Sequence, residues 1–98
     1  MGWTVKFTGK AKKKKEKLPE RYQDALDALI MDIELNGPVV PSWPNYGKLK
    51  GRKDFYHCHL NKGKPRYVAV WKITDNTIQL VEVKHVGTHE KANYGKIR

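Results

Sequence analysis

The sequence has 98 residues, enough for one hydrophobic core and too few for two, so a single domain over residues 1–98 is expected. An apolar share of 39% with three tryptophans supports a packed interior, and a mean hydropathy of -0.75 excludes a chain dominated by membrane-spanning stretches. Twenty lysines and arginines against ten acids leave a net charge of +10, which calls for a polyanion partner: RNA, DNA, an anionic membrane face or an acidic protein segment. Basic residues recur in every segment rather than in one detachable tail, which favours such a partner over a merely solvated surface. No N-terminal apolar run of the secretory kind is present, and Lys6 breaks the myristoylation pattern. The single cysteine, Cys58, allows no internal disulfide, in keeping with a cytoplasmic location.

Trp3-Thr4-Val5-Lys6-Phe7-Thr8 alternates apolar with polar and ends at Gly9, the pattern of a strand with Trp3, Val5 and Phe7 inward. Lys10 to Leu18 contains helix formers without an interior breaker. Ala11 and Leu18, seven apart, share one side while the lysines face water. Lys12 to Lys15 reads equally as a solvated helix face and as a nucleic-acid patch. Leu18-Pro19 stops this helix, and Pro19 suits the first turn of a second one. There Tyr22, Ala25, Leu26, Leu29, Ile30 and Ile33 recur at three- and four-residue steps, with Asp24, Asp27, Asp32 and Glu34 on the wet side. Asn36-Gly37-Pro38 closes it with a cap and a breaker.

Residues 38 to 52, with Pro38, Pro41, Pro44, Gly47 and Gly51, read as an irregular crossing segment. Trp43 and Tyr46 are expected to pin it to the core, base stacking being the alternative. Lys48, Lys50, Arg52 and Lys53 then place cations just before the next strand, Lys53 to Asn61. A turn at Lys62-Gly63, a strand from Arg66 to Ile73, a turn at Asp75-Asn76 and a strand from Thr77 to His85 complete the pattern. Short connections imply an antiparallel meander with both helices packed on one face, an α+β architecture.

Alternation in the strand Tyr56-His57-Cys58-His59-Leu60 turns Tyr56, Cys58 and Leu60 one way and His57 and His59 the other, beside Phe55. His85 and His89 are the remaining histidines, and one surface groove is expected to reach all four rings. Histidine exchanges a proton near neutrality. RNA cleavage requires a base for the attacking 2′-hydroxyl, an acid for the departing 5′-oxygen and cations for the charged transition state. Two histidines with Arg66, Lys48 or Lys50 fill those roles without a metal or cofactor, and Tyr94 supplies stacking or a phenolic proton. Zinc binding by His57, His59, His85 and Cys58 is the competing use of these residues. Cys58 alternates away from the flanking imidazoles, however, and no Cys-x-x-Cys or His-Glu-x-x-His spacing occurs, so Cys58 is assigned to the core.

Several segments together resemble the RelE/ParE superfamily of bacterial toxins from type II toxin–antitoxin systems. They are the first strand with Gly9-Lys10-Ala11 to Lys17-Leu18-Pro19, the helix ending in Asn36-Gly37-Pro38, Lys48-Leu49-Lys50-Gly51, and Tyr56-His57-Cys58-His59-Leu60. Gly87-Thr88-His89-Glu90-Lys91 resembles the Gly-Thr-His close of the YafQ-like branch. The RelE branch carries lysines where this chain has His57 and His59 and an arginine at His89, whereas YafQ-like members carry histidines matching His59 and His89. The resemblance implies a RelE-like fold and an endoribonuclease that cuts mRNA in the ribosomal A site. A cognate antitoxin would hold it inactive, the toxin being a monomer when free. It further implies His59 and His89 as the proton-transfer pair, with His57, His85 and Tyr94 positioning substrate. Lys48, Lys50, Arg52 and Arg66 would bind phosphates. Two other readings stand beside it: a gyrase inhibitor of the ParE type, and a non-catalytic or degenerate module that binds RNA or antitoxin.

Overall fold

A computed structural model describes residues 2–63, 65–76 and 79–88 of the chain. In chain order the elements are β1 (Thr4–Phe7), α1 (Gly9–Glu16), α2 (Glu20–Asn36), β2 (Gly47–Lys48), β3 (Phe55–His59), β4 (Tyr67–Asp75) and β5 (Leu80–Thr88). They form one five-stranded sheet in the order β1-β5-β4-β3-β2. β2 to β5 pair antiparallel, giving the expected meander, and β1 lies parallel to β5. A parallel neighbour needs a long crossover, and the two helices begin one by carrying the chain away from β1 before β2 joins the opposite edge. The fold is α+β, as the sequence predicts.

Local chemistry accounts for the helix boundaries. Thr8 caps α1, its hydroxyl oxygen accepting the Ala11 N–H at 3.1 Å, and the lysines Lys13, Lys14 and Lys15 fill the last turn, where cations favour the helix dipole. Pro19 sits at the N-cap of α2, one residue ahead of the expected first helical turn. Proline has no side-chain acceptor for the first N–H groups of the helix, and Gln23 instead ties this first turn to the end of α1 by donating to the Leu18 carbonyl at 2.9 Å. At the far end Gly37 adopts φ +94, a conformation that side chains resist, and its N–H returns to the Ile33 carbonyl at 2.8 Å.

The core lies between the helices and one sheet face. Ala11, Leu26, Leu29 and Ile33 meet Tyr56, Cys58, Ala69, Trp71, Val81, Val83 and Val86 there, all buried. Trp71 is fully enclosed, and its indole N–H donates to the Pro38 carbonyl at 3.1 Å. The crossing segment is held as expected: the Trp43 indole donates to Asp32 Oδ2 at 2.9 Å, and the Tyr46 ring lies 6.2 Å from that of Tyr56. One part of that segment is not irregular, because Gly47 and Lys48 form the short edge strand β2 opposite His57 and Tyr56. β4 and β5 also extend beyond their expected ends at Ile73 and His85, while Thr77, the expected start of the last strand, lies outside the described residues.

Replacing Trp71 by Phe leaves the Pro38 carbonyl without its buried donor and opens a void. A loss of about 2 kcal/mol or more in unfolding free energy is expected, read by urea denaturation.

Candidate functional site

With the helices on one side, the alternate residues of the sheet occupy the other. Leu49, Phe55 and Val70 form a second, separate apolar cluster there. His57 lies opposite Val70 in the β3–β4 ladder and His59 opposite Val68. The two imidazoles have ring centroids 6.5 Å apart with their planes tilted by 60°. His57 Nδ1 is 3.0 Å from the Gly47 carbonyl oxygen. A carbonyl only accepts, so this contact puts the ring proton on Nδ1 and, in the neutral ring, the lone pair on Nε2. His57 is half-buried, whereas His59 is 5% exposed, more sheltered than a surface pair would be. The His59 backbone N–H donates to the Pro44 carbonyl at 2.7 Å, tying this end of β3 to the crossing segment.

Phe55 organises cations on the same face. The Arg52 guanidinium carbon lies 4.4 Å from its ring centroid and Lys72 Nζ 5.3 Å, from different directions along the chain. A ring contact of this kind holds a cation in place without cancelling its charge. Lys72 carries no signal of its own in the sequence. It is in phase with Val70 on β4, but only the pairing of Phe55 with Lys72 shows that it reaches the histidine face. Lys84, the next strand's cation, pairs with Glu82 at 2.5 Å.

Other expected members are not brought together. Lys48 stands opposite Tyr56 with Nζ 5.8 Å from that ring, and Tyr56 belongs to the helix-side core, so Lys48 lies on the wrong side of the sheet. Lys50 is exposed in the link from β2 to β3. Arg66 is exposed immediately before β4, at the end of the sheet where His59 pairs with Val68. His89 and Tyr94 lie outside the described residues.

His85 requires a correction. β5 is not the neighbour of the histidine strand, because β4 lies between them, and Val70 faces His57 on one side and His85 on the other. Two strand spacings, roughly 10 Å, therefore separate His57 from His85. The register shift between Val70 and Trp71 inserts Lys84 as an extra residue in β5, a bulge that changes the phase of the residues beyond it. The His85 ring meets α1, with Nδ1 3.5 Å from Lys14 Nζ. Burial, aided by the Lys14 ammonium, pushes its pKa down to about 4, so the ring is neutral at pH 7. Cys58 is fully buried in the helix-side core, and burial pushes its thiol up to about 12.

No protein-family model and no curated protein sequence matches this chain. Solved structures do. A mutant of the Escherichia coli toxin RelE in the free state is 20% identical, with a TM-score of 0.76 over 99% of this chain and 95% of that one. The RelE–RelB complex of the archaeon Pyrococcus horikoshii is 18% identical, with a TM-score of 0.74 over 94% of this chain and 100% of that one. A YoeB dimer from Staphylococcus aureus is 16% identical, with a TM-score of 0.70 over 91% of this chain and 99% of that one. The chain thus has a RelE-like fold.

Two measurements check the electrostatics. His85 has its folded pKa depressed from 6.5 to about 4, so the unfolded chain binds the extra proton between those values. Stability should fall as the pH drops through that window, by up to about 3 kcal/mol, and His85→Gln should remove this part of the pH dependence in urea titrations. Native Cys58 should resist iodoacetamide at pH 8 and react only on unfolding, as mass spectrometry would register.

Proposed function

We propose that this chain is the toxin of a type II toxin–antitoxin system, an endoribonuclease that cleaves mRNA on the ribosome and is silenced by a cognate antitoxin. The observation that carries this reading is the pair of imidazoles, His57 and His59, 6.5 Å apart beside the cations gathered on Phe55. The likeness to structures described as RelE toxins and RelE–RelB complexes supports it at the level of the fold.

In this mechanism one imidazole takes the proton of the 2′-hydroxyl, and the oxygen attacks the adjacent phosphorus. The bond from phosphorus to the 5′-oxygen breaks, and a second imidazole protonates that oxygen, leaving a 2′,3′-cyclic phosphate and a free 5′-hydroxyl. His59 and His89 form the transfer pair, while His57, anchored through Nδ1 to Gly47, and Tyr94 orient the substrate. Arg52 and Lys72 stabilise the charge that builds on phosphorus, and Lys50 and Arg66 hold flanking phosphates. Lys48 and His85 have no part in it. The same excess of cations gives mRNA, ribosomal RNA and an acidic antitoxin segment a surface to bind.

The test is inducible expression with mapping of mRNA 5′ ends, comparing the native chain with His59→Ala and His89→Ala. Each substitution should reduce cleavage at least about a hundredfold and relieve growth inhibition, with circular dichroism unchanged. A fully toxic double variant would sink the assignment of this pair. RNA that binds in a salt-sensitive manner yet stays intact on ribosomes would leave only a binding module.

A further inference from the structure

The chain has ten acids, and five of them, Glu20, Asp24, Asp27, Asp32 and Glu34, lie on α2, which carries a single base, Arg21. α2 is thus an anionic helix in a chain of net charge +10. Its inner face is committed to the core through Leu26, Leu29 and Ile33. Away from that face the chain exposes large apolar side chains: Met31 is 61% exposed, Leu35 70%, and Val39, just past the helix end, 54%. No other large apolar residue is exposed among the described residues. Single exposed apolar residues are ordinary, but three in one short segment with none elsewhere form a patch.

Ala28, Met31 and Leu35 follow one another at three- and four-residue steps, so they make one seam along the outer side of α2, the spacing that paired helices use. Ala28 is exposed as well. Asp24 lies one turn before this seam, and Glu34 borders it three residues beyond Met31. Two of the other carboxylates are engaged: Asp27 pairs with Lys15, and Asp32 accepts from Asn36 and Trp43. Asp24 and Glu34 have no ion pair among the described residues.

Apolar seam and anionic border together select the occupant. The border repels RNA, an anionic lipid surface and an acidic protein segment, the partners that suit the rest of the chain. A second copy offers a cationic helix in α1, but its apolar residues there, Ala11 and Leu18, are buried in its own core and leave nothing to cover Met31 and Leu35. We propose that the outer face of α2 docks an amphipathic helix of a basic partner protein. Apolar residues of that helix pack along Ala28, Met31 and Leu35, and its lysines or arginines face Asp24 and Glu34. α2 covers the side of the sheet opposite His57, so one chain can hold this partner and a polyanion at once. This docking does not depend on the nuclease reading.

The probe is a synthetic helical peptide of about the length of α2, with leucines at three- and four-residue steps and lysines beside them. It is titrated at fixed ionic strength into the ¹⁵N-labelled full chain, and amide shifts are followed by NMR. One control peptide carries glutamates in place of the lysines, and another carries glutamines in place of the leucines. The expected result is a saturable shift centred on α2 and Val39 with the first peptide, at least about tenfold tighter than with either control. Met31→Gln/Leu35→Gln, which changes exposed side chains and leaves the core intact, should weaken binding by a similar factor. The absence of a saturable response, shifts centred elsewhere, a leucine-free peptide that binds as tightly, or a double variant that binds like the native chain would overturn the proposal. A dimer in sedimentation that Leu35→Gln dissolves would also overturn it, by giving the face to a second copy.

Discussion

The structure depends on the period-two alternation of β3 against a sheet that is covered by helices on one face only. Tyr56 and Cys58 are committed to the core beneath α2, so His57 and His59 must occupy the other face. A slip of one residue would exchange the two sets, burying imidazoles among Leu26, Leu29 and Ile33 and exposing Tyr56. Register is therefore set by the hydrophobic contrast between the faces. Backbone bonds at both sides reinforce it: His59 N–H to Pro44 and Leu60 N–H to Tyr67, each at 2.7 Å. The catalytic geometry proposed for this face is a by-product of core packing on the reverse.

The same residue type has two distinct environments. His57 meets a carbonyl, which fixes a proton on Nδ1, whereas His85 meets an ammonium, which fixes the proton on Nε2. Burial beside a cation also holds His85 neutral where an unperturbed ring would titrate. Cations also meet different surroundings. Lys15 and Lys84 are paired with Asp27 and Glu82, and Arg52 and Lys72 each lie over the face of Phe55. An aromatic support fixes the position of a cation at little cost in its field.

Local patterns make most of the scaffold legible. Three-to-four spacing from Tyr22 to Ile33 and the capping signals at Thr8 and Gly37 are short-range properties, and the helices obey them. The antiparallel order of β3, β4 and β5 comes from connections too short for any other. The features hidden from the sequence are non-local. β2 has only two residues, without alternation to read, and exists because Gly47 and Lys48 meet His57 and Tyr56. The parallel pairing of β1 with β5 likewise joins residues more than seventy positions apart. The departures at the site have the same origin: the face of Lys48 is set by the register of β2, that of Lys72 by its pairing with Phe55, and the place of His85 by the strand order and the bulge at Lys84.

A scaffold shared at a TM-score of 0.76 with only 20% identity shows how little of the fold resides in particular residues. Alternation, helix period and volume suffice, and many side chains satisfy them equally. Fold likeness therefore carries limited weight for chemistry, because side chains outside the main core are less constrained by the fold. On this chain the face away from the helices, which has only the small cluster of Leu49, Phe55 and Val70, bears His57, His59, Arg52 and Lys72, whose side chains no packing requirement on the helix side demands. The proposed phosphodiester chemistry would draw on both kinds of group at once, since it needs proton transfer and charge stabilisation within a few ångströms of one phosphorus.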